Sequence, residues 1–97
     1  MILESGILSI EPGQEAAFEA ALPAAKAVIT SSPGCRGIEV RRCVERPSHY
    51  LLLVQWDAVE DHMVGFRNSD LFRQWRALLG LYFAELPAVE HFHPSSV

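Results

Sequence analysis

Hydrophobic and polar residues follow two different periods along the chain, and each change of period marks an element. Residues 2–10 (ILESGILSI) are apolar and β-branched with Ser and Gly interleaved, and Glu11-Pro12-Gly13 stops them, so they predict a first strand. From Gln14 the residues Phe18, Leu22, Ala25 and Ile29 recur every three to four positions in an Ala-rich background, the pattern of an amphipathic helix. Pro23 lies inside that helix, where it removes one backbone hydrogen bond and crowds the preceding turn, so a kink or break is expected near residues 20–22. Ser31-Ser32-Pro33-Gly34 is turn chemistry. Residues 35–44 then alternate Ile38, Val40, Arg42 and Val44 against Gly37, Glu39, Arg41 and Cys43, which predicts a second strand. A tight connection, Glu45-Arg46-Pro47-Ser48, leads to a third strand over residues 49–56, and the two form an antiparallel hairpin. The third strand is apolar on both faces, with Tyr50, Leu52, Val54 and Trp56 on one and Leu51 and Leu53 on the other, so both faces need cover.

Asp57 can cap a following helix, with Glu60 three positions on; His62, Met63 and Phe66 continue its period to about Asn68. Ser69 opens a more strongly apolar helical stripe, Leu71, Phe72, Trp75, Leu78, Leu79, Tyr82 and Phe83, expected to run to about Phe83. Pro87 closes it, residues 89–93 form a short last strand, and residues 94–97 form a flexible tail. The order β-α-β-β-α-α-β in 97 residues is one α+β domain spanning residues 1–97. Its helices suffice for one face of a four-stranded sheet. A second copy packed sheet to sheet is the simplest cover for the other, which predicts a homodimer enclosing a closed or nearly closed barrel.

Composition narrows the partners. Hydrophobic residues at 49% and charged residues at 21% are globular values. Eight basic against twelve acidic side chains leave a net charge of −4, which disfavours nucleic acid and anionic membrane and leaves small molecules or proteins. The apolar runs fall far short of the roughly 20 residues a membrane-spanning helix needs. Residues 1–10 carry no basic segment and no small-residue cleavage site, so a cytoplasmic location is expected. Cys35 and Cys43 are not spaced as a redox pair or a zinc site, and are read as buried or half-buried thiols. No P-loop, GxGxxG, nucleophile elbow or HExxH is present, which removes nucleotide-dependent and zinc-peptidase chemistry.

The chain resembles the antibiotic biosynthesis monooxygenase family of dimeric α+β barrels. The resemblance rests on the early strand with Pro12-Gly13 and the Phe18 helix, on Ser32-Pro33-Gly34-Cys35, on Leu52-Leu53-Val54-Gln55-Trp56, on Phe66, Ser69 and Phe72, and on Pro87-Ala88-Val89-Glu90-His91-Phe92. It implies a ferredoxin-like four-stranded antiparallel sheet with helices on one face, paired as a dimeric α+β barrel. It also implies a cofactor-independent oxidation of a small phenolic or enolic aromatic substrate by O₂, with no cofactor and no metal. Many members of that family place a histidine three residues before the serine that opens the last helix, and here Phe66 holds that position, with His62 one turn earlier. Heme-degrading relatives carry a tryptophan near Phe66 and a histidine near Arg76, and this chain has neither.

Several residues could carry such chemistry. His62 shares a helix face with Phe66 and titrates near neutral pH, so it is the candidate base; a hydrogen-bonded structural histidine is the alternative. Arg67 and Asn68 could hold a substrate oxygen, although Asn68 could equally cap the next helix. Tyr50, Trp56, Phe66 and Trp75 could line a pocket for a flat ring, with His91 as a further wall residue, while Phe72 and Phe83 read as core. His91 and His93 share a strand face and, with His49, would make an incomplete metal set. Arg36, Arg41, Arg42 and Arg46 alternate with Glu39 and Glu45 and read as a solvated, ion-paired face. A non-catalytic small-molecule-binding or stress-associated dimer, and an isomerase or lyase acting on a small carbonyl compound, use the same pocket and remain open.

Overall fold

Strand β1, Ile2–Ser9, is the centre from which the sheet is built. In a computed structural model describing residues 1–97, it pairs antiparallel with β3 (His49–Trp56) on one side and β4 (Val89–Phe92) on the other, and β2 (Cys35–Arg42) pairs with β3. The strand order β2-β3-β1-β4, with helix α1 (Glu15–Thr30) between β1 and β2 and helix α2 (Asp70–Leu79) before β4, is the ferredoxin-like α+β arrangement. Period-two alternation sends Leu8, Tyr50, Leu52, Val54 and Trp56 to the helical face, where they meet Phe18, Leu22, Ala25 and Ile29 of α1 and Trp75 and Leu79 of α2 in a single core. The opposite face carries Leu3, Ile7, Leu51, Leu53 and Phe92. The pairings Leu3↔Phe92 and Ile7↔Leu51 place these side chains as neighbours, and Ile7 and Phe92 remain 48% and 50% exposed.

Helix α1 runs unbroken through Pro23, contrary to the break expected near residues 20–22. Pro23 faces solvent on the side away from Phe18, Leu22, Ala25 and Ile29. Burying a Phe, Leu or Ile side chain contributes roughly 1.5–3 kcal/mol, so three of them on the sheet outweigh the roughly 3 kcal/mol a mid-helix proline costs.

The helix expected after Asp57 is a six-residue π-helical segment, Asp61–Phe66, closed by the Arg67 N–H donating to the His62 carbonyl at 3.0 Å. Its entry is capped by Asp61, whose Oδ2 accepts from the Ala58 N–H at 3.1 Å; Asp57 is engaged instead by Arg36. Asp61 also fills the space beside Gly34. Gly34 has φ +85°, and any Cβ there would fall on the Asp61 side chain, so glycine is required at that turn twice over.

The last helix stops at Leu79, passes through a 3₁₀ turn (Gly80–Tyr82) and turns extended at Phe83, which bridges to Ile10. It therefore does not reach Phe83 as a helix, because that backbone is drawn into pairing with the end of β1. The second and fourth strands are also shorter than the alternation predicts, ending at Arg42 and Phe92. Beyond Arg42 the chain leaves the ladder and closes the hairpin, the Cys43 N–H donating to the His49 carbonyl.

Candidate functional site

A cavity of about 550 Å³ opens between the helical face of the sheet and the segment running from the π turn through α2 to β4. Leu8, Leu52 and Val89 floor it from three strands, and Phe66, Phe72, Trp75 and Phe83 make an aromatic wall. The rings of Phe72 and Trp75 meet Phe66 edge-on, at centroid separations of 5.5 and 6.4 Å. Phe72 and Phe83, read from the sequence as core, thus belong to the wall of this space.

At its inner end lies a buried polar chain. Glu4, on the helical face of β1, is 4% exposed, and His62, on the π segment, is 2% exposed. The Trp56 Nε1–H donates to Glu4 Oε1 at 2.9 Å, and the same oxygen lies 3.4 Å from His62 Nε2. On the other side of the ring, His62 Nδ1 is 2.8 Å from Nε2 of His91. The β1–β4 register sets this up by pairing Glu4 directly with His91. The close approach of β4 depends on Gly6, where a Cβ would sit 2.8 Å from Val89 Cγ1 and 3.0 Å from the Ala88 carbonyl oxygen. The His62 ring is stacked on Trp56 at 5.3 Å, and Phe66 packs against both, 6.4 Å from His62 and 5.7 Å from Trp56.

Burial decides the charges. His62 is pushed down to about 4, first by desolvation and then by the electrostatic influence of the neighbouring Arg67 and His91, so the imidazole is neutral at physiological pH. Glu4 is raised from the ordinary carboxylate range by desolvation, against the opposing pull of the Trp56 hydrogen bond and of Arg67. With Glu4 ionised, the neutral ring meets both contacts when His91 donates to His62 Nδ1 and the His62 proton sits on Nε2, facing Glu4. Only Oε1 of Glu4 has a protein partner, and the residue lines the cavity, so its second oxygen is free to meet a ligand.

The structure brings six of the eight site residues expected from the sequence to this region. His62, Arg67, Phe66 and Trp75 line the cavity; Trp56 lies behind His62 as its stacking and hydrogen-bonding support, and His91 holds the far side of the imidazole. Two are placed elsewhere. Tyr50 shares the sheet face but sits toward α1, packed on Phe18 at 4.8 Å, its hydroxyl donating to Glu19 at 2.5 Å; desolvation and that carboxylate push it up to about 12. Asn68 is exposed and outside the cavity. Its side chain does not cap α2, and neither does that of Ser69, whose Oγ donates to the Phe66 carbonyl at 2.7 Å. Sequence reasoning missed Glu4, Arg76 and Glu85, which also line the cavity. No cluster of three or more His, Cys, Asp or Glu side chains has metal-holding geometry, so the histidines do not converge as a metal set.

A ferredoxin-like sheet whose helices leave a ring-walled cavity ending in a buried carboxylate and imidazole places the chain among small ferredoxin-like α+β domains. The chain belongs to the antibiotic biosynthesis monooxygenase family, whose family model matches residues 1–78. It is 39% identical over 92 residues to the uncharacterized protein YczJ of Bacillus subtilis, covering 95% of this chain and 97% of that one. Among solved structures, a Bordetella bronchiseptica protein assigned to the same family superposes with TM-score 0.94 at 40% identity, over 98% of this chain and 97% of that one. SnoaB, a cofactor-independent oxygenase from Streptomyces nogalater, shares the fold, with TM-score 0.80 at 14% identity over 99% of this chain and 94% of its own.

Proposed function

We propose that this protein is a cofactor-independent monooxygenase that oxidises a small phenolic or enolic aromatic compound with O₂. The observation that carries this reading is the Glu4–His62–His91 chain at the closed end of a cavity with aromatic walls. Family membership and the fold shared with a cofactor-independent oxygenase support it.

Both ring nitrogens of His62 are turned to protein groups, so the imidazole acts on a ligand through Glu4. The free oxygen of Glu4 accepts the substrate proton, and its raised affinity for protons brings it closer to the task than an ordinary carboxylate. His62 positions the carboxylate, and His91 positions His62. The guanidinium of Arg67, whose charge reaches both Glu4 and His62, stabilises the enolate left behind. At a carbon that carries two hydrogens in the keto tautomer, the anion adds O₂ and takes up a proton to give a hydroperoxide. Loss of water then leaves a carbonyl. One oxygen atom ends in the product, the other in water, and all the electrons come from the substrate.

We further infer that the working form is a cytoplasmic homodimer packed through the open sheet face. The apolar neighbours Leu3, Phe92, Ile7 and Leu51 support the dimer, and the unbridged thiols of Cys35 and Cys43 suit a reducing compartment. The test of the reaction is O₂ uptake with a panel of quinols and anthrone-like enols, without added cofactor. Turnover dependent on Glu4 is the expected result; a panel bound in the cavity but inert toward O₂ overturns the oxygenase in favour of a binding protein.

A further inference from the structure

Two cations at this cavity form no ion pair within the chain. Arg67, just after the π segment, and Arg76, on α2, both line the space, and their Cζ atoms lie 5.7 and 5.9 Å from the centroid of one ring, Phe72. Neither forms an ion pair, whereas Arg36, Arg41, Arg42 and Arg73 each hold a carboxylate. Arg46 is also unpaired but lies on the hairpin, beside a different groove. The two carboxylates of the cavity accept from neutral donors, Glu4 Oε1 from Trp56 and Glu85 from the Ser9 hydroxyl at 3.2 Å, and neither bridges an arginine. Two guanidiniums at one ring, each without a bridging carboxylate, leave charged donors at the cavity wall for an anionic ligand group. Arginine also presents a planar fork of donors that matches a carboxylate.

We propose that the ligand of this cavity is an aromatic hydroxy acid, its carboxylate held between Arg67 and Arg76 at Phe72 and its hydroxyl directed to Glu4. This rests on the cavity being the substrate site. The ring then lies along the Phe72 and Trp75 wall, and the carboxylate end fixes which hydroxyl reaches the buried carboxylate. Orientation thus follows from charge, and neutral rings of the same shape lack it.

Binding measured by calorimetry, without oxygen and at low ionic strength, separates this from the reaction. Gentisate, its neutral methyl ester and hydroquinone are the probes. Gentisate is expected to bind at least about tenfold tighter than the ester, consistent with a charge-assisted contact. Arg67→Gln and Arg76→Gln should each weaken gentisate by about tenfold and leave the ester within about twofold, while Arg73→Gln, already paired with Asp70, leaves both unchanged. An ester that binds as tightly as the acid, or parent-like gentisate affinity in both cavity variants, overturns the assignment. The ester comparison is made on the parent protein and needs no variant to fold. Carboxylate-dependent binding with no O₂ uptake on any quinol would uphold this assignment and remove the oxygenase reading; turnover of neutral quinols without preference for the acid does the reverse.

Discussion

Glu4 and His62 make contact at the end of the cavity, and the cost of burying each is read in opposite directions by pH. His62 titrates at about 4 in the fold against an ordinary 6.5, so between those values the unfolded chain takes a proton that the folded chain refuses. The stabilisation this represents is complete above pH 6.5 and is lost as pH falls toward 4. From pH 7 to pH 5 the loss is about 2 kcal/mol. Glu4 works the other way: its raised pKa means that the fold accepts a proton there before the unfolded chain does, which offsets part of the loss at the acid end. Denaturant unfolding at pH 7 and pH 5 should therefore show the parent losing more stability than His62→Gln, by up to about 2 kcal/mol. An identical pH dependence in the two proteins would mean that His62 is not held neutral by its surroundings. In catalysis the same pair predicts that Glu4→Gln lowers kcat by about a hundredfold or more, since a positioned base contributes on the order of 10²–10⁴. His62→Gln, which keeps a polar group but not the imidazole, should lower kcat by about tenfold, with a smaller change in KM. Retention of full kcat by Glu4→Gln would move the base elsewhere.

At the scale of elements, the paradox of α1 is that its sequence contains its own breaker and the helix ignores it. Pro23 is exposed, and its missing N–H costs one bond on the solvent side while the buried stripe stays on the sheet. Pro23→Ala restores that bond at a site already helical, and should raise the thermal midpoint by several degrees, since about 1 kcal/mol corresponds to about 4–8 °C in a domain of this size. A lower midpoint by calorimetry would show that Pro23 relieves a strain that alanine would reintroduce.

The strands show what a period can and cannot tell. Alternation placed Tyr50 and Trp56 correctly on one face of β3, yet only Trp56 reaches the site, behind His62 and bonded to Glu4. Which end of a strand the helices leave open is set by tertiary packing, and here Tyr50 lies against α1. Glu4 was legible in principle, as a lone acid among Ile2, Gly6 and Leu8 on the inward side of β1. Its partner His91 was recognisable as a wall residue, but the contact between them rests on a β1–β4 register that joins the two ends of the chain. The π turn carried no signal at all, because Asp57, Glu60, His62 and Phe66 fit an ordinary helix equally well; the Asp61 cap beside Gly34 exists only once the hairpin is in place.

At the scale of the whole molecule, one sheet face is filled by helices and the other is not. Leu51 and Leu53 are half-buried, and Ile7 and Phe92 are about half exposed, an apolar strip that a second copy would cover. Light scattering should give twice the 10.8 kDa chain mass at micromolar concentration, and Ile7→Glu should shift the protein toward monomer. A parent that stays at 10.8 kDa contradicts the paired-sheet arrangement. The cavity lies on the helical side of the sheet, away from the apolar strip, so pairing through that strip would leave each chain its own Glu4, His62 and Arg67. The central claim, that these groups direct O₂ onto an enolate without a cofactor, is tested most directly by running a turned-over quinol or enol under isotopically labelled dioxygen and weighing the product. One labelled oxygen atom per product molecule, lost in parallel with turnover in Glu4→Gln, is the expected result. A product whose new oxygen comes from water, or no oxygenated product at all, contradicts it.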